Sequence, residues 1–219
     1  MIRAVFCDMD GVILDSMPYH VEAWKRAAKE FGFSLDESKV YLYEGAIELS
    51  SSKDVFKNGD KEITQKVFLD ILNRQKEIFL KDYLEQIRVF EHVPELLNIL
   101  KEKELKLALV TSSHKDILEY SLPYEVRSLF DVIVTGDDIK RPKPNPDPYL
   151  AAISATKVSP ETSIVVENAP AGIRAAKNAR CKCIGLCTTL PPSPLIIAGA
   201  DKVFNRHEEL VSHFLELLK

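Results

Sequence analysis

Short apolar runs alternate with amphipathic stretches along most of this chain. The first run, Ala4–Cys7, is typical of a buried strand, and similar runs occur at 105–111, 131–135, 163–166, 182–186 and 202–204. Apolar residues with helical spacing predict helices between these runs, at 94–103, 148–156, 170–179 and 208–218. Strands that alternate with helices usually form a parallel sheet with helices on both faces. The pattern therefore predicts an α/β fold.

One long segment interrupts this alternation. Between about residues 34 and 82 the apolar positions keep helical spacing, but no convincing buried strand occurs. The preceding stretch, 17–31, also has a helical pattern, and Ser16 is placed to serve as its N-cap. These segments predict a helical insertion, which we name the cap. The predicted domains are a helical cap at 16–89 and a core made of 1–15 and 90–219.

Length and composition are those of an ordinary globular protein. The chain has 219 residues, of which 46% are hydrophobic and 28% charged, and its net charge is -4. No run of Lys and Arg forms a basic stripe for nucleic acid, and no apolar run approaches the ~18–20 residues that cross a bilayer. The start of the chain leaves no room for a signal peptide before Ala4. We therefore expect a cytoplasmic protein, a monomer or weak homo-oligomer, without nucleic-acid or membrane partners.

Three of the four cysteines are close together in sequence, at Cys181, Cys183 and Cys187. A structural zinc site would need a second group of ligands nearby, and the sequence offers none at a suitable spacing. We expect these cysteines to be small apolar residues in and after a core strand.

Two carboxylates follow the first predicted strand. Side chains two residues apart in extended backbone point the same way, so Asp8 and Asp10 are expected on one side of the strand end. Carboxylates this close repel each other unless a cation or a proton separates them. Gly11 then allows a backbone turn that a residue with a Cβ would resist. The stretch therefore predicts a metal site.

Further polar residues follow other predicted strands, and parallel sheets bind ligands at this edge. They are Thr111 and Ser112, Lys143, and Glu167 with Asn168. Hard oxygen ligands of this kind suit Mg²⁺. A carboxylate can attack phosphorus when a metal ion and a lysine offset the negative charge of the phosphate. The set therefore favours phosphoryl-transfer chemistry on a small phosphorylated metabolite.

Four motifs carry a resemblance to a known family. They are DMDGV at 8–12, VTS at 110–112, KPNP at 143–146 and VENAPAG at 166–172. In this order, each after a predicted strand, they resemble the haloacid dehalogenase superfamily, in the helical-cap branch that includes β-phosphoglucomutase and phosphoglycolate phosphatase. The resemblance covers essentially the whole chain. It implies a Rossmann-like core with an inserted helical cap, and Mg²⁺-dependent hydrolysis of a small phosphomonoester through a phospho-aspartate.

The resemblance also implies a role for each motif residue. Asp8 would be the nucleophile and a metal ligand, and Asp10 the general acid/base with its backbone carbonyl on the metal. The phosphoryl group would be bound by Thr111, Ser112 and Lys143, and the remaining metal ligands would be Glu167 and Asn168. The dehalogenases and phosphonatases of the superfamily lack the second aspartate. Its presence favours phosphate-ester chemistry.

Two positions depart from the family pattern. Asn168 stands where the phosphatases and mutases usually have an aspartate, so one negative charge is lost and we expect weaker Mg²⁺ binding. Gly45 matches the substrate loop of β-phosphoglucomutase, but the arginine that grips the far phosphate there falls at about Glu48. An acid at that point would repel a second phosphate. This favours hydrolysis over mutase action.

Some alternatives remain open on sequence alone. The chain could be a β-phosphoglucomutase-type mutase, or a non-catalytic phosphate-binding regulatory protein. Residues that could line the cleft or touch the substrate are His20, Trp24, Gly45 and His114. We expect Glu44 to face water, although it could instead select a cationic or polyol substrate. Surface positions are expected for His92, His207 and His213.

Overall fold

A six-stranded parallel sheet forms the centre of the structure, a computed structural model that describes residues 1–47, 49–58 and 63–219. In chain order the strands are β1 (Ala4–Cys7), β2 (Ser34–Leu35), β3 (Phe56–Lys57), β4 (Lys106–Val110), β5 (Val132–Val134), β6 (Ser163–Glu167), β7 (Lys182–Leu186) and β8 (Lys202–Phe204). The central sheet has the order β5-β4-β1-β6-β7-β8. Strand β1 lies between β4 and β6 and pairs in parallel with both. Its carboxyl end therefore lies at the middle of the sheet edge.

Helices alternate with these strands, which confirms the predicted α/β fold. They are α1 (Met17–Glu30), α2 (Glu37–Leu42), α3 (Ser52–Val55), α4 (Gln65–Ile78), α5 (Val93–Glu102), α6 (Lys115–Ser121), α7 (Tyr124–Arg127), α8 (Asp147–Thr156), α9 (Pro170–Asn178), α10 (Pro192–Ala198) and α11 (His207–Leu217). A π-helical turn, Phe79–Tyr83, directly follows α4. Short 3₁₀ turns are Leu49–Ser51, Leu84–Gln86, Gly136–Asp138 and Pro160–Thr162. The apolar pattern did not predict α6, α7 and α10, which have only four to seven residues each.

Two apolar layers cover the central sheet, one on each face. Val5 and Cys7 of β1 belong to one layer, and Ala4 and Phe6 belong to the other. Successive side chains of a strand point to opposite faces, so a strand covered on both faces is apolar throughout. All four residues of β1 are fully buried. This explains why the strand appears in the sequence as an unbroken apolar run.

The segment between β1 and β4 is mainly helical. Helix α1 packs against α4, and Trp24 on α1 contacts Phe56 with ring centroids 5.7 Å apart. The sequence predicted no convincing buried strand here, and the structure adds a two-residue antiparallel ladder of β2 and β3 in which Phe56 is buried and the other three residues are not. A ladder that short leaves no alternating pattern to detect. The cap limits of 16–89 stay a prediction.

The three neighbouring cysteines lie in and around β7, as predicted. Cys181 and Cys183 are buried beside and within β7, and Cys187 is half-buried just after it. Burial raises the pKa of the Cys181 thiol to about 11.

Across the described ranges, the helices fall short of the length or apolarity that a bilayer crossing requires.

Candidate active site

The polar residues predicted to follow the strands lie together at the carboxyl edge of the sheet. Asp8 continues β1 by one residue, and its amide donates to the carbonyl of Val166 at 3.0 Å. Glu167 is the last residue of β6, with Asn168 directly after it, and Thr111 follows β4. These four side chains are buried, as is Lys143. The sheet therefore places three carboxyl or amide groups, a hydroxyl and a lysine in one buried cluster.

Gly11 makes the close approach of two loops possible. Its φ of +86° is in the region that favours glycine, and its amide donates to the carbonyl of Leu14 at 2.8 Å. A Cβ on Gly11 would lie 2.1 Å from the side-chain nitrogen of Asn168. The turn after β1 therefore needs glycine for its backbone and also for the space that Asn168 occupies.

Lys143 bridges the two carboxylates of the cluster. Its ammonium donates to Asp8 Oδ1, to Glu167 Oε1 at 2.7 Å and to the carbonyl of Val110 at 3.1 Å. The Tyr149 hydroxyl donates to the same Glu167 oxygen at 2.6 Å. Tyr149 lies inside a predicted helix and was not predicted as a site residue. A buried tyrosine hydroxyl needs a partner, but the sequence does not show which one.

Burial dominates the electrostatics of this cluster. It raises the pKa of Asp8 to about 8; Lys143 opposes the rise and Glu167 adds to it. Burial alone would lower the pKa of Lys143, but Asp8 and Glu167 outweigh it, so that pKa lies above its ordinary value. A single ammonium therefore does not fully offset the negative charge that Asp8 and Glu167 bring into the interior.

Asp10 is surrounded by hydrogen-bond donors. Its carboxylate accepts from Ser16 Oγ at 2.6 Å, Ser113 Oγ at 2.9 Å and His20 Nε2 at 3.3 Å. Burial acts to raise the pKa of Asp10, but these hydrogen bonds outweigh it and hold the pKa below its ordinary value. In this arrangement Asp10 is ionised, the form of a general base. Action as a general acid requires it first to take up a proton.

Two of these donors, Ser16 and Ser113, were not predicted to bind Asp10. Ser16 precedes α1 as expected, but its hydroxyl binds Asp10 and makes no capping bond to the helix. Ser113 was not singled out, although it directly follows the predicted Thr111 and Ser112. The apolar pattern predicts where a strand ends, but it does not predict which group each neighbouring hydroxyl binds.

His20, on α1, links Asp10 to α4. The amide of Gln75 on α4 donates to His20 Nδ1 at 3.3 Å, so the proton on Nε2 is free to be donated to Asp10. The imidazole stacks on Phe79 with ring centroids 3.8 Å apart. His20, predicted as a cleft residue, therefore lies beside Asp10, and Gln75 holds its tautomer.

The loop around Gly45 contacts the core directly. The Ser112 hydroxyl donates to the carbonyl of Gly45 at 3.1 Å, so this predicted phosphate ligand is bound to the cap. A Cβ on Gly45, whose φ is +68°, would lie 3.2 Å from that hydroxyl and 3.9 Å from Lys143 Cδ. His114 is exposed, and its Nδ1 lies 2.6 Å from Oδ1 of Asp137, whose side chain is also exposed. Gly45 is thus close to the cluster, and His114 is at its rim.

A cavity of about 370 Å³ opens above the carboxylates. Its floor includes Asp8 and Lys143, and its cap side includes Trp24, Leu72 and Lys76. This size is within the range of pockets that hold small molecules, and the lining combines an ionic floor with an apolar wall. A small molecule would reach Asp8 through this cavity.

The prediction that Glu44 faces water was wrong. Glu44 is only 7% exposed, and its Oε2 accepts a hydrogen bond from Asn168 Nδ2 at 2.8 Å. Burial raises the pKa of Glu44 well above its ordinary value, and the charge of Asp8 adds to the rise. Helical spacing could not reveal this contact, because it joins residues 124 positions apart. The neighbouring Glu48, predicted to repel a second phosphate, lies outside the described residues.

The prediction that His207 is a surface residue was also wrong. It begins α11, is buried, and donates from Nε2 to the carbonyl of Val12 at 2.7 Å. Its ring also packs on Phe90, with centroids 4.4 Å apart. Burial lowers the pKa of His207. This histidine therefore fixes the turn that carries Asp8 and Asp10.

The donor atoms of the cluster fit Mg²⁺. The side-chain donors available are oxygens, from Asp8, Glu167 and Asn168, which is the set that a hard divalent cation prefers. Asn168 Oδ1 is buried and accepts no hydrogen bond from the described residues. An unpaired buried acceptor is costly, and a cation would satisfy it. Among residues 1–47, 49–58 and 63–219, no group of three or more His, Cys, Asp or Glu side chains has an arrangement that could by itself hold a metal ion.

Gly172, in the first turn of α9, leaves room for Glu167. A Cβ on Gly172 would lie 1.7 Å from Glu167 Oε1. We expect Gly172→Ala to push Glu167 away from Lys143, to lower the free energy of unfolding by about 1–3 kcal/mol and to reduce turnover about a hundredfold. Urea unfolding and steady-state kinetics measure the two effects.

Gly32→Ala is the control for this substitution. Gly32 has a φ of +81°, but the nearest atom to an added Cβ, on Asn58, is 3.8 Å away. Backbone strain should cost about 1–2 kcal/mol of stability and leave turnover unchanged. Wild-type turnover in Gly172→Ala would contradict the tight fit of Glu167.

Comparison with known proteins defines the class of this chain. The family model of haloacid dehalogenase-like hydrolases matches residues 5–186. The chain belongs to this family, and it is an enzyme of phosphatase- or phosphoglucomutase-like function. The non-catalytic alternative is therefore set aside.

Relatives of known name match almost the full length. A phosphorylated carbohydrates phosphatase of Thermotoga maritima is 30% identical over 99% of this chain and 100% of its own. A β-phosphoglucomutase of Bacillus subtilis is 29% identical over 99% of this chain and 94% of its own. The solved structure of a putative β-phosphoglucomutase from Bacteroides vulgatus is 31% identical, has a TM-score of 0.83, and is matched over 99% of this chain and 88% of that one.

Proposed function

We propose that the chain is a Mg²⁺-dependent phosphatase that hydrolyses a small phosphomonoester through a phospho-aspartate at Asp8. The observation that carries this proposal is the contact of Asp8 with Lys143 at the floor of the cavity. A carboxylate attacks a phosphate dianion only when nearby positive charge offsets the repulsion. Lys143 supplies part of that charge, and its position is fixed by Glu167 and the carbonyl of Val110.

The phosphoryl group would be held by the groups around Asp8. Lys143 would pair with one of its oxygens, and the hydroxyl of Thr111 and backbone amides of that loop would donate to others. Asp8, Asp10 through its carbonyl, Glu167 and Asn168 would hold Mg²⁺. When bound, Mg²⁺ would withdraw charge from the phosphoryl oxygens and so favour attack by a carboxylate.

In the first half-reaction, Asp8 attacks phosphorus and the bond from phosphorus to the alcohol oxygen breaks. The electron pair of that bond goes to the alcohol, and protonated Asp10 gives it a proton. In the second half-reaction, a water oxygen attacks phosphorus while ionised Asp10 takes a proton from it. The bond between phosphorus and Asp8 breaks, which releases inorganic phosphate and restores the carboxylate. Ser16, Ser113 and His20 favour the ionised form of Asp10 that this second step needs.

The substrate class we propose is a phosphorylated carbohydrate. The cavity combines an ionic floor with polar and apolar cap residues, which suits a small hydroxylated molecule with one phosphate. The name of the Thermotoga maritima relative supports the same class. We place this activity in the cytoplasm and propose no nucleic-acid partner.

A mutase remains the second candidate, because relatives named β-phosphoglucomutase match the whole chain. A mutase needs a second phosphate site in the cap. Among the described cap residues that line the cavity, Lys76 is the cation, and it already pairs with Asp116 at 2.8 Å. An already paired lysine offers less to a second phosphate, so we favour hydrolysis.

Incubation with β-glucose 1-phosphate, Mg²⁺ and a trace of the bisphosphate separates the two activities. A phosphatase releases inorganic phosphate, whereas a mutase yields the 6-phosphate isomer without net release. We expect free phosphate from this or another sugar phosphate in a panel that includes phosphoglycolate and nucleotides. Rapid isomerisation without phosphate release would contradict the proposal.

A further inference from the structure

Glu44 reaches from the cap into the carboxylate cluster of the core. It is buried, and its Oε2 accepts from Asn168 Nδ2 at 2.8 Å. The same amide nitrogen lies 3.2 Å from the hydroxyl of Thr189. The contact joins the loop after α2 to the loop after β6. A cap carboxylate thus lies against Asn168, an uncharged residue among the proposed metal ligands.

Both partners of this contact keep one oxygen without a hydrogen-bond partner. Glu44 Oε1 and Asn168 Oδ1 are buried, and neither has a donor within the described residues. Leaving a buried acceptor unpaired costs free energy, and more so when the group is charged. A cation bound at this contact would give both oxygens a partner.

The charge of the cluster favours a cation. Glu44, Asp8, Asp10 and Glu167 are four carboxylates, and Lys143 is the ammonium that contacts Asp8 and Glu167. A divalent cation would offset this excess, whereas a second hydrogen-bond donor alone would not.

We propose that Glu44 completes the divalent-cation site of this protein from the cap, supplying the negative charge that Asn168 does not. The inference rests on the proposed function only in its choice of Mg²⁺ as the cation. Because Glu44 belongs to the cap and Asn168 to the core, cation binding would also favour the arrangement in which the two are in contact. The site is then complete only when the cap covers the core.

A purely structural role for the contact makes a different prediction. Glu44→Gln keeps an oxygen that can accept from Asn168, but it removes the charge. If the contact only fastens the cap to the core, this variant should bind the cation as the wild type does. If Glu44 serves the cation, Glu44→Gln should weaken binding about tenfold or more, as the loss of outer-shell partners does.

Isothermal titration with Mg²⁺, and electron paramagnetic resonance with Mn²⁺ as the probe, measure binding without substrate. Glu85→Gln is the control, because Glu85 is an exposed residue of the same segment and its replacement removes the same charge. We expect wild-type affinity for this control. Equal affinities for Glu44→Gln and Glu85→Gln would overturn the proposal.

The exchange variant Glu44→Gln/Asn168→Asp gives the sharper test. It retains one carboxylate and one amide in contact, and moves the charge from the cap to the core. We expect it to recover most of the affinity lost in Glu44→Gln. Failure of Asn168→Asp to recover any affinity in this background would also overturn the proposal.

These binding measurements are independent of turnover. If the wild type hydrolyses phosphomonoesters but Glu44→Gln binds Mn²⁺ normally, the inference fails and the proposed function stands. If the wild type hydrolyses nothing in the panel but Glu44→Gln binds Mn²⁺ weakly, the proposed function fails and the cation site stands.

Discussion

Replacement of Asp8 by asparagine is expected to abolish turnover, with a loss of at least about a thousandfold, or about 4 kcal/mol of transition-state stabilisation. The amide cannot form the covalent bond to phosphorus that the carboxylate forms. The variant should still fold, because an asparagine oxygen can accept from Lys143, and Glu167 remains as the partner of its charge. Phosphate release under saturating Mg²⁺ measures the loss, and circular dichroism checks the fold.

Asp70→Asn is the matched control for this variant. Asp70 lies on α4, is partly exposed and is outside the cavity, so its replacement should leave turnover within about twofold of the wild type. Substantial phosphate release by a well-folded Asp8→Asn variant would remove Asp8 as the nucleophile. Both proposed activities, hydrolysis and mutase action, would then need another mechanism.

Lys143→Met is expected to have the largest effect on stability. It leaves the carboxylates of Asp8 and Glu167 buried without their ammonium, and breaking a buried ion pair in this way costs about 3–5 kcal/mol. Turnover should fall as well, because the charge that offsets the phosphate is lost. Urea unfolding at fixed Mg²⁺ measures the first effect.

Two further variants make the result of Lys143→Met interpretable. Lys140→Met removes an exposed lysine nearby and should change the free energy of unfolding by no more than about 0.5 kcal/mol. If Lys143→Met does not fold, Lys143→Met/Glu167→Gln should recover stability, because it also removes one unpaired carboxylate. Wild-type stability in Lys143→Met would show that the ion pairs of Lys143 contribute nothing.

The fold could be predicted because β1 is buried on both faces. Complete burial makes a strand apolar throughout, and that run, repeated at intervals with helices between, specifies a parallel sheet. The residues after the strands then share an edge, so Asp8, Thr111 and Glu167 could be placed together from sequence. Short elements such as the β2–β3 ladder left too few positions to form a pattern.

Side-chain contacts between residues that are separated in the sequence could not be predicted. Glu44, Tyr149 and His207 all bury a polar group against residues far away in sequence. From the sequence, such residues cannot be distinguished from solvent-exposed ones. Their hydrogen-bond partners are brought close only when the chain folds. The resemblance to the family implied a lost charge at Asn168, and the structure shows the carboxylate of Glu44 beside that residue.

The proposed mechanism depends on transfer of the phosphoryl group to the carboxylate of Asp8, which forms a covalent intermediate. The most direct measurement is rapid acid quenching during turnover of p-nitrophenyl phosphate with Mg²⁺, followed by borohydride reduction and mass spectrometry of the peptide that contains Asp8 and Asp10. Borohydride converts an acyl phosphate of aspartate to homoserine. We predict homoserine at position 8 only, and none when the substrate is omitted. Phosphate release without any reduced residue at position 8 would contradict the account.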